Sequence, residues 1–247
     1  MNKPFRAETQ APALLDVNGA ALLPVVAAGP YRAELAQAVL SFKKHGQHHL
    51  ADVLSKGLAG AIRAAAGEAP GLLLVPVPTS SGAYRKRGFS PVHLMLGRLD
   101  RRWATGAGVR PGFVTVHALR RKGRRGGAGR TGHTVAGFAR LQGGTGGQKG
   151  LGRGDRAQRA RGSMRVRDGL FAPEVRGRYC LIIDDVLTTG ATLAEASRVL
   201  GAAGALVRGA VVLAATRPPV TLDYVHSERG LAGRSPVNEK NKPGKDE

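Results

Sequence analysis

The sequence predicts an α/β fold with a mostly parallel sheet flanked by helices, and three observations carry that prediction. Short apolar runs, unbroken at 72–78 and ending in an acid at 179–184, have the character of buried strands of a parallel sheet. Segments at 33–44, 49–66, 90–103 and 192–203 show apolar residues at helical spacing. Strands that alternate with helices pair in parallel through crossover connections. The chain has 247 residues, 42% of them hydrophobic, enough for one well-cored domain, or one domain plus appendages.

Residues 1–20 lack sustained periodicity and are expected to form a mobile lead-in to a domain spanning 21–226. A strand near 22–28 follows, closed by the Gly29-Pro30 turn signal. Over 33–44, Leu35, Ala36, Val39, Leu40 and Phe42 suit one face of a helix. A second helix over 49–66 places Leu50, Val53, Leu54, Leu58 and Ile62 together, weakened by Gly57 and Gly60. The strand at 72–78 runs into a rigid turn at Pro76 and Pro78, and the helix at 90–103 tolerates Pro91 in its first turn. Residues 113–117 read as another strand, 179–184 as the clearest one, 192–203 as a helix and 206–215 as a strand. The polar stretch 227–247, rich in Lys and Pro, is expected to be a disordered tail.

One region departs from the pattern. Between 120 and 167 there are 14 Arg+Lys and 14 Gly against one acid, Asp155, a net charge of +13. With so little apolar surface to offset the entropy of ordering, a basic, flexible Gly/Arg-rich insertion is expected. The whole chain carries 38 Lys+Arg against 17 Asp+Glu, net +21, which favours polyanionic partners: nucleic acid, an anionic membrane surface or a phosphorylated small molecule. A single cysteine, Cys180, excludes an intramolecular disulfide framework and a cysteine-rich zinc module. No apolar run approaches the ~20 residues of a membrane span, and the run at 20–28 is broken by Pro24, so a cytoplasmic protein is expected. His45, His48 and His49 have no acid or Cys at ligand spacing.

The words from Leu181 to Thr192, Leu-Ile-Ile-Asp-Asp-Val-Leu-Thr-Thr-Gly-Ala-Thr, carry the chemistry. A buried strand ends in Asp184 and Asp185, and a turn of small hydroxyl residues then opens a helix. Ligands of parallel sheets bind beyond the strands' carboxyl ends, where a helix N-terminus offers unpaired N–H groups to a phosphate. Thr188, Thr189 and Thr192 add hydroxyls, while Gly190 and Ala191 keep the turn small enough for close approach. The acids suit ribose hydroxyls or Mg²⁺, reached directly or through water. Together they describe a ribose 5-phosphate pocket. A helix cap alone requires one Ser, Thr or Asp, not this set.

This string resembles the binding signature for 5-phosphoribosyl 1-pyrophosphate (PRPP) of type I phosphoribosyltransferases. Val75-Pro76-Val77-Pro78, with Tyr84-Arg85-Lys86-Arg87-Gly88-Phe89-Ser90 after it, resembles signatures of the competence-associated ComF proteins within that group. Leu40-Ser41-Phe42-Lys43-Lys44-His45-Gly46 looks like the family's lysine-glycine segment. The resemblance runs from about residue 25 to 217 and implies a phosphoribosyltransferase-like fold. It implies PRPP as substrate, Mg²⁺ held at Asp184 and Asp185, and pyrophosphate met by Thr79, Arg85 and Arg87. Arg85 and Arg87 also read as a solvated basic turn. The chain departs from the family in lacking a four-cysteine module, in Ser90 where Asn is common, and in Arg159 where another Asn is common.

Two functions follow. One is an enzyme that transfers phosphoribosyl to an unknown nitrogenous acceptor, with the acceptor's hood at 22–66. The other is a weakly catalytic or non-catalytic factor in competence and DNA uptake, holding single-stranded DNA on the basic insertion. That insertion has one aromatic, Phe138, so base stacking there would be poor. The sequence specifies neither a purine nor a pyrimidine and says nothing of oligomeric state.

Overall fold

Adjacent residues of a strand face opposite sides of its sheet, so an unbroken apolar run must be covered twice. A computed structural model describes residues 3–67, 71–105, 112–122 and 160–216 and shows this arrangement. Strands β1 (Phe5–Arg6), β2 (Val25–Pro30), β3 (Leu72–Pro76), β4 (Phe113–Thr115), β7 (Tyr179–Leu187) and β8 (Leu206–Ala215) form one sheet in the order β1-β2-β8-β7-β3-β4. β1 is antiparallel to β2, and the other pairs are parallel. Two further strands, β5 (Leu119–Arg121) and β6 (Met164–Val166), make a separate antiparallel ladder.

The alternation sorts the core into two layers. Leu72, Leu74, Leu181, Ile183, Val211 and Leu213 face one side, where α1 (Ala33–His45), α2 (Leu50–Ala66) and α4 (Pro91–Ala104) supply Phe42, Leu58, Ile62 and Met95. Leu73, Val75, Cys180, Ile182, Ala210 and Val212 face the other, with Leu193 and Leu200 of α5 (Ala191–Ala202). From β3 the chain passes through α4 to β4 on one side of β3; from β7 it passes through α5 to β8 on the other. The strand order therefore reverses between β3 and β7, the position at whose carboxyl ends parallel sheets of this kind form their crevice. Among the described residues no helix is long and apolar enough to cross a membrane.

Three expectations change. Residues 3–20 are not a loose lead-in: β1 pairs with β2, and two 3-10 turns, Glu8–Gln10 and Pro12–Leu14, bury Ala7, Ala11 and Leu14. The buried Glu8 carboxylate anchors this strap, accepting from Arg6 Nε at 2.8 Å and from the Val25 N–H at 3.1 Å. Single anchors of this kind leave no periodic trace. The basic turn after β3 contains a short helix, α3 (Ser81–Arg87), capped by the Ser80 hydroxyl. It buries no residue, so it has no apolar stripe to read. The insertion expected over 120–167 is ordered at both ends, where 119–121 and 164–166 form β5 and β6. Leu119 and Met164 are buried there and supply the apolar contact that the intervening composition lacks. Residues 123–159 and the expected tail at 227–247 lie outside the described residues.

Candidate functional site

The crevice between β3 and β7 is closed at its base by the ladder that pairs Pro76 with Ile183 and by the Val77 N–H donating to the Ile183 carbonyl. On the β7 side stand Asp184 and Asp185. The Asp184 carboxylate accepts from the Asp185 N–H at 2.8 Å, and Asp185 Oδ1 lies 2.8 Å from Lys43 Nζ of α1. Both members of that ion pair are about four-fifths buried, with side-chain exposures of 20% and 19%. Burial pushes the Asp184 carboxyl up to about 7, and the Asp185 charge pushes the same way. The Asp185 N–H, Lys43 and Arg121 act in the opposite direction.

Beyond the acids the chain turns through exposed Thr188 and half-buried Thr189 to Gly190, the N-cap of α5. Gly190 has φ +80, and a Cβ there would lie 2.6 Å from Leu14 Cγ. Glycine meets both demands at once: left-handed backbone and no side chain. The strap grips this turn, since the Ala13 N–H donates to the Thr189 carbonyl at 3.0 Å. The Thr189 hydroxyl accepts weakly from the Ala191 N–H at 3.4 Å. Ala191 is buried and Thr192 half-buried in the first turn of α5, so a helix N-terminus sits immediately after the acids.

The β3 side is basic. A groove of about 1010 Å³ runs from Pro78 and Thr79 past α3 to the β5–β6 ladder. Arg85, Arg120, Arg121, Lys122 and Arg167 line it, and no acid is among the described residues that do. Arg121 Nε reaches the Pro78 carbonyl at 3.3 Å, which ties β5 to the end of β3 and sets a cation between groove and acids. Thr79 Oγ1 is 2.7 Å from Ser90 Oγ, which is 2.8 Å from His93 Nδ1. His93 stacks on His117 with centroids 4.6 Å apart. Burial drives its pKa down to about 4, helped by the neighbouring His117 and Arg167 charges.

Of the residues singled out from sequence, Asp184, Asp185 and the 188–192 turn lie together at the end of β7 and the start of α5, while Thr79 and Arg85 line the basic groove, whose lining includes neither acid. Arg87 does not join them; its Nε donates to the Ala83 carbonyl of its own helix at 3.3 Å. The sequence assigned none of Lys43, Ser90 and Leu14 to the site, and offered Arg121 only as one of the many arginines of 120–167 able to neutralise pyrophosphate. Lys43 and Ser90 lie within the lysine-glycine and Arg-Gly-Phe segments, but their partners are 142 residues away or are side chains whose direction no spacing reveals.

The phosphoribosyl transferase domain family matches residues 148–228, which include both acids and the turn after them. Adenine phosphoribosyltransferases of Mycobacterium marinum, Mycolicibacterium smegmatis and Mycolicibacterium gilvum are each 58% identical to this chain over 40 residues. That stretch is 16% of this chain and spans 22% of the length of the relatives. A solved hypoxanthine phosphoribosyltransferase from Staphylococcus aureus matches with a TM-score of 0.33 and 14% identity, over 70% of this chain and 75% of its own. The domain match and the observed sheet agree: this is a mostly parallel α/β fold of the phosphoribosyltransferase-like type.

Proposed function

We propose that the crevice binds PRPP and transfers its phosphoribosyl group to a nitrogenous acceptor. The observation that carries this reading is the reversal of strand order between β3 and β7, with two acids and a glycine-opened helix N-terminus at that point. The turn 188–192 receives the 5-phosphate on backbone N–H groups and threonine hydroxyls. Asp184 and Asp185 accept from ribose hydroxyls. Arg85 and Arg121, from the opposite wall, receive the pyrophosphate. The acceptor nitrogen forms a bond to the anomeric carbon as the bond to pyrophosphate breaks, the electron pair leaves with pyrophosphate, and the nitrogen's proton passes to solvent. Charge builds on the leaving group, so fixed cations aimed at it lower the barrier.

Mg²⁺ fits this donor set. It usually takes one or two carboxylates and completes its shell with water and substrate phosphate oxygens. Among the described residues no group of three or more His, Cys, Asp or Glu gathers to form a full protein cage. Asp184 and Asp185 would hold the ion, which when bound neutralises charge on the pyrophosphate oxygens.

The test is calorimetric titration of PRPP with Mg²⁺ into the wild type and a D184N/D185N double variant. Binding by the wild type that is lost in a folded variant is the expected result; a folded wild type that binds no PRPP would sink the reading. Adenine, the acceptor named for the curated relatives, is the first to add.

A second reading, of ComF type, makes the chain a DNA-handling factor with little catalysis. The groove favours it, because its cations are joined by Tyr84 and Phe89 on the walls, which add aromatic surface to the single Phe138 of the insertion. In this reading single-stranded DNA lies on the groove. Its affinity would fall steeply between low and moderate salt and would drop in an R85Q/R121Q variant. A salt-independent affinity would exclude it.

A further inference from the structure

Large apolar side chains rarely occupy the tip of a turn, where small and polar residues serve the backbone best. The loop between β6 and β7 breaks that pattern. Leu170 and Phe171 are the two central residues of a turn closed by the Ala172 N–H on the Gly169 carbonyl at 3.0 Å. Their exposures are 92% and 95%, and among the described residues no other large exposed apolar side chains are neighbours in sequence. The loop is held at both ends. The Arg167 N–H donates to the Ala118 carbonyl at 2.7 Å, and Met164 and Val175 are buried in the core. The fold therefore presents the pair and does not cover it. The ground around the tip is basic. Arg120 and Arg167 share a cleft with Leu170 and Phe171, and both also line the basic groove. Asp168, the acid next to the tip, is paired with Arg120, and the Glu174 carboxylate accepts from the Arg176 N–H of its own loop at 2.8 Å.

We propose that the turn at 168–173 is a membrane-contact element: Leu170 and Phe171 enter the apolar boundary of an anionic lipid surface, while Arg167 meets its headgroups and Arg120 masks Asp168. Charge complementarity selects this occupant. An apolar tip set among cations matches a surface that is negative outside and hydrocarbon within. A projecting tip also needs no shaped pocket opposite it, because a bilayer yields around it. A small apolar contact or a few charges alone anchor weakly, whereas the two together add. The contact requires no change of fold, since the turn is already set. Because Arg120 and Arg167 belong to both surfaces, a chain docked in this way holds the basic groove beside the lipid. The proposal is independent of what the crevice binds.

The experiment is co-sedimentation of the full chain with vesicles of phosphatidylcholine, alone or mixed with phosphatidylserine, at low and moderate salt. The wild type is expected on the mixed vesicles only. Leu170→Ser with Phe171→Ser should weaken that binding about tenfold, and more at moderate salt, where charge alone no longer holds the chain. Val17→Ser removes a fully exposed apolar side chain elsewhere and should bind as the wild type does. A Phe171→Trp variant reports the contact itself: on mixed vesicles its added emission should shift to the blue and be quenched by brominated acyl chains. The proposal is overturned if the wild type binds neither vesicle, if the double variant binds as the wild type does, or if the Phe171→Trp emission of vesicle-bound chain stays that of an indole in water. A tip that instead met a second copy or another part of this chain would show itself without vesicles. The double variant would then lose mass in sedimentation velocity or lose stability, and either result overturns the proposal. Lowered affinity for single-stranded DNA with vesicle binding intact would assign Phe171 to base stacking and overturn it as well.

Discussion

The two walls of the crevice carry opposite charge and differ in how that charge is answered. On the β7 wall, Asp185 is held by Lys43, Asp184 by a backbone N–H, and the turn after them by the strap at Ala13 and Leu14. On the groove wall, Arg85, Arg121, Lys122 and Arg167 line open space, Arg121 with its Nε on the Pro78 carbonyl, and of the lining cations Arg120 alone is paired with an acid among the described residues, Asp168. A wall whose groups are partnered within the fold is set before a ligand arrives and needs little reorganisation. A wall of free cations awaits an external anion. Changes to the first should therefore cost stability and shape, and changes to the second should cost ligand affinity alone.

The largest effect is expected on the partnered wall at Gly190. Gly190→Ala adds a methyl 2.6 Å from Leu14 Cγ on a backbone with φ +80. Overpacking and left-handed strain together should remove about 3 kcal/mol of stability by urea denaturation. Ribose 5-phosphate binding should vanish with it. Adding Leu14→Ala should restore part of the stability beyond the sum of the single changes, because the clash is with that side chain. A Gly190→Ala protein as stable as the wild type would break the comparison at its firmest point.

The joint between the walls comes next. Glu195 of α5 is buried and paired with both Nε and an η nitrogen of Arg198, at 2.9 and 3.0 Å. Burial alone would raise its carboxyl, but Arg198 and the N–H groups of Met164 and Gly162 outweigh this and hold it below the usual range. The same side chain thus ties α5 to β6. Glu195→Ala should cost about 2 kcal/mol, the loss of several charge-assisted hydrogen bonds. Faster hydrogen exchange at β6 should accompany it, while that at β2 and β8 is unchanged.

The same division governs what the sequence reveals. The partnered strands were legible because Leu181, Ile182 and Ile183 are continuous and apolar, and the acid–threonine–glycine string that ends them is local. The strap was illegible because its anchors are single contacts: Glu8 to the Val25 N–H, and Leu14 over Gly190. Lys43 was illegible as a site residue, and Arg121 indistinguishable from the other arginines of 120–167, for another reason. A charged side chain shows its type in sequence but not its direction, and both reach the crevice from elements distant in the chain. Arg87 makes the converse point: it belongs to the basic string by spacing, yet it turns back onto α3.

On the groove wall the expected effects are smaller and confined to binding. Arg121→Gln with Arg167→Gln should lower pyrophosphate affinity about tenfold, roughly 1.4 kcal/mol. The loss should shrink in high salt because the groove is open to solvent. Stability should change by no more than about 1 kcal/mol, the worth of the single bond from Arg121 to the Pro78 carbonyl, since both side chains are otherwise exposed. A large loss of stability would mean that this wall, too, is partnered.

The smallest effect is read at His93, which lies where the groove's positive charge meets the stacked His117. Its pKa is lowered from 6.5 to about 4, by burial first and by His117 and Arg167 after it. The unfolded chain takes up a proton on His93 as pH falls below about 6.5, whereas the folded chain resists until about 4. Stability should therefore decline with falling pH across that window, and His93→Gln should make the decline shallower. A bound anion supplies the missing counter-charge, so pyrophosphate should raise the His93 pKa, followed by NMR of its imidazole. Arg167→Gln should raise it without any ligand. If pyrophosphate leaves the His93 titration where it was, the groove's cations are not what receives the leaving group, and the contrast between a partnered and an expectant wall fails there.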